Sequence, residues 1–149
     1  MQIIPMTAEH IEAVAALEQA CFSAPWSEAA LAEELTNPLA VFRVAVDATG
    51  QVLGYMGFHH IGDEGYVTNV AVMPSARRQG VAAALLAETA RYATRHRLYR
   101  VTLEVRVSNA PAIALYEGAG YVRDGVRPRF YRDPTEDAAI YSLYFVHEQ

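Results

Sequence analysis

Two arginines and a glycine, Arg77, Arg78 and Gly80, stand in the stretch PSARRQGVAAALL, ahead of small and aliphatic residues that continue with helical periodicity. A helix start of that composition can hold an anion. Its first turn leaves backbone N–H groups unpaired at the positive end of the helix dipole, and Gly80 and Ala82 keep bulk away from them. Two guanidinium groups supply the charge that a bound pyrophosphate requires. The common nucleotide motifs do not fit, because the chain has no lysine and GVAAAL is not a Gly-x-Gly-x-x-Gly turn. A plain helix start flanked by solvated arginines is the alternative. Further along, Glu104 is the sole acid in the apolar stretch YRVTLEVRV, where it could also serve only as the partner of an arginine. In NAPAIALYEGAG, Asn109 can cap a helix before Pro111, and Tyr116 can pack as a core aromatic with a satisfied hydroxyl.

Such residues need elements to position them, and the chain alternates strands and helices without repeats or low-complexity segments. QIIPM reads as a short strand, and Thr7 can cap a helix from Ala8 to about Ala20 with Ile11, Val14, Ala15 and Leu17 on one face. FSAPW is a loop, and Ser27 can cap a second, short helix that ends near Leu35. Leu39 to Val46 and Val52 to His60 are strands joined by the turn Asp47, Ala48, Thr49, Gly50, an antiparallel hairpin. YVTNVAVM, Tyr66 to Met73, is strand-like on both faces and is stopped by Pro74. A helix is expected directly after it, running to about Arg95 with Val81, Leu85, Leu86, Thr89 and Tyr92 inward. Arg100 to Val107 is a strand, and SNAPAIALYEGAGY a helix with Pro111 in its first turn and Gly118 or Gly120 at its end. Tyr121 to Val126 and Ala139 to Val146 close the sheet. This order predicts an α/β (α+β) fold, a mixed sheet packed between helices.

With 149 residues, 52% of them hydrophobic, the chain suffices for one core and is too short for two full domains, so residues 1–149 are expected to form a single domain. The amino end carries Glu9 and Glu12 without a basic lead-in, and the longest aliphatic run, Val81 to Ala87, is far shorter than a membrane span. A soluble, untargeted, cytoplasmic protein is expected. Cys21, the only cysteine, excludes an internal disulfide and a thiolate metal cluster, and in the apolar patch Ala20 to Phe22 it reads as a buried structural residue. His59 and His60 should point to opposite faces of their strand, and no metal site is expected. A formal charge of −5 argues against general binding to nucleic acid or to anionic membranes. Its distribution is uneven: through Glu64, nine acids stand against Arg43 alone, leaving −8, and the remainder carries +3. All twelve basic residues are arginine, whose planar guanidinium suits phosphate, although two solvated faces with an arginine bias would look the same.

RRQGVA, Arg77 to Ala82, resembles the Arg/Gln-x-x-Gly-x-Gly/Ala acetyl-coenzyme A motif of the GNAT acetyltransferases. CFSAPWSEAALAEEL, NVAVMPSARRQGVAAALL, LEVRVSNAPAIALYEGAGY and RPRFYRDPTEDAAIYSL are similar, in order, to blocks of the RimI-type ribosomal-protein N-terminal acetyltransferases, and together cover most of Cys21 to Leu143. The resemblance implies the GNAT fold, a mostly antiparallel sheet splayed between the fourth strand, ending NVAVM, and the fifth, RVTLEVRV, with the pantetheine arm in the gap. It implies coenzyme contacts at Val70, Ala71 and Val72, where a bulge around Asn69 to Val72 would free the amides near Val70 and Val72. Further contacts are implied at Arg77, Arg78, Gln79, Gly80, Val81 and Ala82 for the pyrophosphate, and at Asn109. Glu104 is implied as proton acceptor, working through a water, and Tyr116 as proton donor to the departing sulfur. RPRFY, Arg127 to Tyr131, matches a loop that covers the acceptor end, with Tyr131 and Trp26 as groove walls. Ala83 departs from the family, where a basic residue is common, so one phosphate contact is missing or supplied elsewhere.

Direct transfer through a ternary complex needs an amine that attacks as a neutral base. An α-amine with a pKa of about 8 is about 10% neutral at pH 7, whereas a lysine near 10.4 costs about 3 kcal/mol more to deprotonate. A carboxylate working through water therefore suits an α-amine, and the acidic first 64 residues would draw the amino-terminal segment of a basic ribosomal protein. A lysine or small-molecule amine acetyltransferase would share every coenzyme residue and differ only around Trp26, Asp63 and Tyr131. A non-catalytic acyl-coenzyme A sensor would need neither Glu104 nor Tyr116.

Overall fold

The computed structural model describes residues 1–147. Strand β1 (Gln2–Pro5) leads through one 3-10 turn, Ala8–His10, into α1 (Ile11–Cys21), which turns Ile11, Val14, Ala15 and Leu17 inward as its periodicity dictates. Helix α2 (Glu28–Glu34) begins where Ser27 Oγ accepts the Ala30 N–H at 3.1 Å. Strands β2 (Ala40–Val46) and β3 (Val52–Ile61) are joined by a turn in which Asp47 Oδ1 accepts the N–H groups of Thr49 and Gln51. Then follow β4 (Glu64–Val72), α3 (Val81–Arg95), β5 (Arg100–Arg106), α4 (Ala110–Gly118), β6 (Val122–Tyr131) and β7 (Glu136–Tyr144). Among the described residues no helix is long and apolar enough to cross a membrane.

The seven strands form one sheet in the order β1-β2-β3-β4-β5-β7-β6, antiparallel throughout except between β4 and β5. That parallel contact is short. Glu64, Gly65 and Tyr66 pair with Arg100, Val101 and Thr102, after which β4 continues to Val72 and β5 to Arg106 without pairing to each other. The sheet is therefore splayed between its fourth and fifth strands, as expected. One core lies under α3 and α4 around Leu85, Leu86, Val101, Leu103 and Tyr141, and a second under α1 and α2 around Val14, Leu17, Leu31, Val44 and Tyr55. Each fully buried aliphatic side chain contributes about 1.5–3 kcal/mol. In β3, Gly57 leaves room for the Phe42 ring, with which a Cβ would collide.

Four local expectations are corrected. The bulge lies at Thr68, one residue before the expected Asn69 to Val72: Gly57 pairs with Asn69 and Phe58 with Val67, so Thr68 is the extra residue. It exchanges the two faces of β4, so Val67 joins the α3/α4 core while Ala71 joins the α1/α2 core. Helix α3 does not follow Pro74 directly. Pro74–Ala76 makes its own 3-10 turn, and Arg78 and Gly80, left-handed at φ 65° and 79°, cannot belong to an α-helix and delay its start to Val81. RPRFY is not a loop but the end of β6, where Pro128 is tolerated because β6 is the sheet's edge. Cys21 is half-buried rather than buried, since it ends α1 beside the gap and not beneath the sheet.

Candidate active site

The connection from Arg77 to Gly80 is wholly exposed. Among the described residues no carbonyl accepts the N–H groups of Arg78, Gln79 or Gly80, and Val81, Ala82 and Ala83 occupy the first turn of α3, whose N–H groups lack intrahelical partners. Six consecutive donors thus stand at the positive end of a helix, with Arg77 and Arg78 beside them, an arrangement suited to phosphate oxygens. A Cβ on Gly80 would meet nothing within 4 Å, so glycine answers to the backbone conformation and keeps the space before the donors clear. Gln79 Nε2 is engaged by the Ser75 carbonyl at 3.3 Å. Ala83 lines an open groove of about 400 Å³ with Leu86, Ala87 and Ala90 of α3 and Leu115 and Gly118 of α4.

At the mouth of the gap, Met73 donates its N–H to the Leu53 carbonyl of β3 at 2.8 Å. Peptide groups alternate along a strand, so Ala71 also faces β3, while Val70 and Val72 turn their N–H and C=O groups toward the gap. The Thr68 bulge sets this alternation. Of the three residues expected on the coenzyme, Ala71 is the one whose peptide is turned away. The Val72 carbonyl accepts the Cys21 S–H at 3.4 Å, and Arg77 Nη2 lies 3.6 Å from the same sulfur.

On β5, Val101, Leu103 and Val105 face the α3/α4 core and turn Glu104 to the other side. The Glu104 side chain is 5% exposed, yet both oxygens are engaged: Tyr66 donates its hydroxyl to Oε2 at 2.6 Å and Arg127 donates Nε–H to Oε1 at 3.0 Å. The arginine-pairing alternative is thus realised, though Arg127 itself is 54% exposed. Tyr131 stands close by; burial first, and then the neighbouring Glu104 and Tyr116, push its phenol up to about 12. Arg106 pins that end of β6, with its guanidinium 4.6 Å from the Tyr131 ring centre and bonded to Glu136 and to the Arg132 and Pro134 carbonyls. Tyr116 is 8% exposed, burial pushes its phenol up to about 12, and its hydroxyl has no partner among the described residues. It is not the satisfied core tyrosine of the alternative reading; Tyr141, bonded to Glu117 at 3.1 Å, is of that kind. Asn109 does cap α4, its Oδ1 accepting the Ala112 N–H at 3.2 Å, while Nδ2 has no partner among the described residues.

Trp26 is half-buried against the α1/α2 core and donates its backbone N–H to Glu18 Oε1 at 3.0 Å. Glu18, 2% exposed, takes the Tyr55 hydroxyl on Oε2 at 2.6 Å, and Tyr55 accepts Asn69 Nδ2 at 2.9 Å. This buried chain ties the loop before α2 to β4 just beyond its bulge. No hydrogen bond or ring pairing joins Trp26 to Tyr131 among the described residues. His59 and His60 face opposite sides, toward Glu34 and Tyr92 respectively. Among the described residues no group of three or more His, Cys, Asp or Glu could hold a metal ion. Sequence reasoning missed the roles of Tyr66 and Glu18. Glu18 carried a signal, an acid on the inward stripe of α1 beside Val14 and Leu17; Tyr66 carried none, because its nearness to Glu104 depends on the β4–β5 register.

Residues 11–121 match the acetyltransferase (GNAT) family. The chain is 33% identical to the [ribosomal protein bS18]-alanine N-acetyltransferase of Escherichia coli (strain K12), over 85% of this chain and 86% of that one. It is 35% identical to the N-alpha-acetyltransferase RimI of Mycobacterium tuberculosis, over 76% and 72% respectively. The crystal structure of the ribosomal-protein-S18-alanine N-acetyltransferase from Escherichia coli superimposes with a TM-score of 0.90 at 29% identity, covering 99% of this chain and 96% of that one.

Proposed function

This chain belongs to the acetyltransferase (GNAT) family and is an N-acetyltransferase, and we infer that it acetylates the N-terminal α-amine of a small-subunit ribosomal protein in the cytoplasm, using acetyl-coenzyme A. The observation that carries the chemistry is a nearly buried carboxylate, Glu104, on the strand that bounds the gap, with Tyr131 close by and Tyr116 next to Tyr131. The relatives' activity toward an N-terminal amine supports the acceptor.

The residues fit acetyl-coenzyme A as donor: the Arg78 to Ala83 amides with Arg77 and Arg78 would hold its pyrophosphate, and the Val70 and Val72 peptides its pantetheine. The coenzyme supplies an activated acetyl group. Glu104 would receive the amine's proton through a water, and the Tyr116 hydroxyl would donate to the sulfur as negative charge develops there. Asn109 Nδ2 would bind the coenzyme while its Oδ1 holds the start of α4. Trp26 and Tyr131 would wall the acceptor groove separately, one anchored through Glu18 and the other through Arg106. Exposed Glu12, Glu28 and Glu33 would attract a basic amino-terminal segment, whereas Glu34 and Glu64 are already matched by His59 and Arg100.

Acetyl transfer to peptides with a free amino terminus, a blocked terminus, or a blocked terminus plus lysine tests this reading. Only the free-terminus peptide should be acetylated; equal turnover on the lysine peptide would make the chain a lysine acetyltransferase. At the phosphate corner, Gly80→Glu should weaken acetyl-coenzyme A binding in calorimetry by about 10²-fold or more, equivalent to about 2.7 kcal/mol. Gly80→Ala, which adds conformational strain without charge, should lose much less. Unchanged affinity in a folded Gly80→Glu variant removes the corner from the site.

A further inference from the structure

We propose that Tyr66 is the positioning residue of Glu104: its hydroxyl, 2.6 Å from Oε2, holds the carboxylate so that Oε1 faces the acceptor, and Arg127 keeps the place of the acceptor's cation at Oε1. This rests on the reading of Glu104 as proton acceptor. Tyr66 sits where such a group must sit. It is the last residue of β4 to pair with β5, opposite Thr102, and the Thr68 bulge and the gap follow at once. The hydroxyl is therefore fixed to the closed corner of the sheet, while the carboxylate it holds lies where the sheet has opened.

The two oxygens differ in what holds them. Tyr66 is half-buried, and burial followed by the bond to Glu104 raises its phenol above the ordinary range, so it stays protonated and remains a donor. The proton leaving the amine N–H passes through water to Glu104 Oε1, and the Tyr66 O–H bond is not broken. Arg127, by contrast, makes a single Nε contact from an exposed side chain at the point where β6 loses register with β7. An incoming ammonium presents the same charge to the same oxygen, so the exchange leaves Glu104 paired before and after. The titratable and charged groups facing Glu104 are Tyr66 from β4 and Arg127 and Tyr131 from β6, with Tyr116 of α4 beyond Tyr131.

Tyr66→Phe keeps the ring and removes only the donor. In protein labelled with 13C at glutamate carboxyls, the Glu104 resonance at neutral pH, assigned by its absence in Glu104→Gln, should change its chemical shift in Tyr66→Phe, because the hydroxyl that donates to Oε2 is lost. Single-turnover acetylation should fall about tenfold with acetyl-coenzyme A affinity unchanged in calorimetry. A folded variant whose Glu104 resonance is unmoved overturns the proposal, and so does a moved resonance with a wild-type rate. The spectrum needs no substrate, so a wild type that acetylates no amine would remove the functional reading while the contact to Glu104 is still measured.

Discussion

Glu104→Gln is expected to lower single-turnover acetyl transfer by about 10²- to 10⁴-fold at neutral pH while acetyl-coenzyme A binds as before, the pattern of a group used in proton transfer. The substitution preserves shape, and the Tyr66 hydroxyl can rotate to accept from the new amide, so the fold should hold. Its pH dependence is diagnostic. An α-amine of pKa about 8 arrives mostly as ammonium at pH 6 and mostly neutral at pH 9, so the deficit should be largest at low pH and shrink as pH rises past about 8. A deficit equal at both ends would mean that Glu104 orders the acceptor without handling its proton. An undiminished rate at every pH would remove it from the chemistry.

Tyr116→Phe should also cost about 10²- to 10⁴-fold in single turnover with little change in acetyl-coenzyme A affinity. Burial that pushes the Tyr116 phenol up to about 12 makes it a weaker acid than an alkyl thiol near 8.5, so outright proton donation is unfavourable early in the reaction. A hydrogen bond that strengthens as charge collects on sulfur is not. The same burial raises the basicity of a thiolate beside it, which brings the two groups closer together as the sulfur departs. With no partner among the described residues, the Tyr116 hydroxyl is available to donate, whereas that of Tyr141 is engaged by Glu117. Steady-state turnover understates the loss if product release is slow, so the comparison belongs in single turnover. A near wild-type rate in folded Tyr116→Phe would make the residue a packing tyrosine.

Local physical chemistry made much of this protein legible in its sequence. The stripe Ile11, Val14, Ala15, Leu17, the Ser27 cap, the Asp47–Gly50 turn and Pro111 opening α4 are decided within a few residues of chain, and each formed where its spacing placed it. The glycine and arginines of RRQGVA were equally plain, because a helix start needs only its own neighbours to expose N–H groups. What the sequence could not determine depends on registers between distant segments. Whether one extra residue at Thr68 exchanges the faces of β4, and so which peptides meet the gap, is settled by the pairing with β3. That Glu104 meets both Tyr66 and Arg127 required the three-residue contact of β4 with β5 and the return of β6 along β7, neither of which any window of sequence contains. Likewise Trp26 is fixed through Glu18 and Tyr55 to Asn69, a chain of buried hydrogen bonds that exists only once α1, β3 and β4 pack together and exclude the water these groups would otherwise bind.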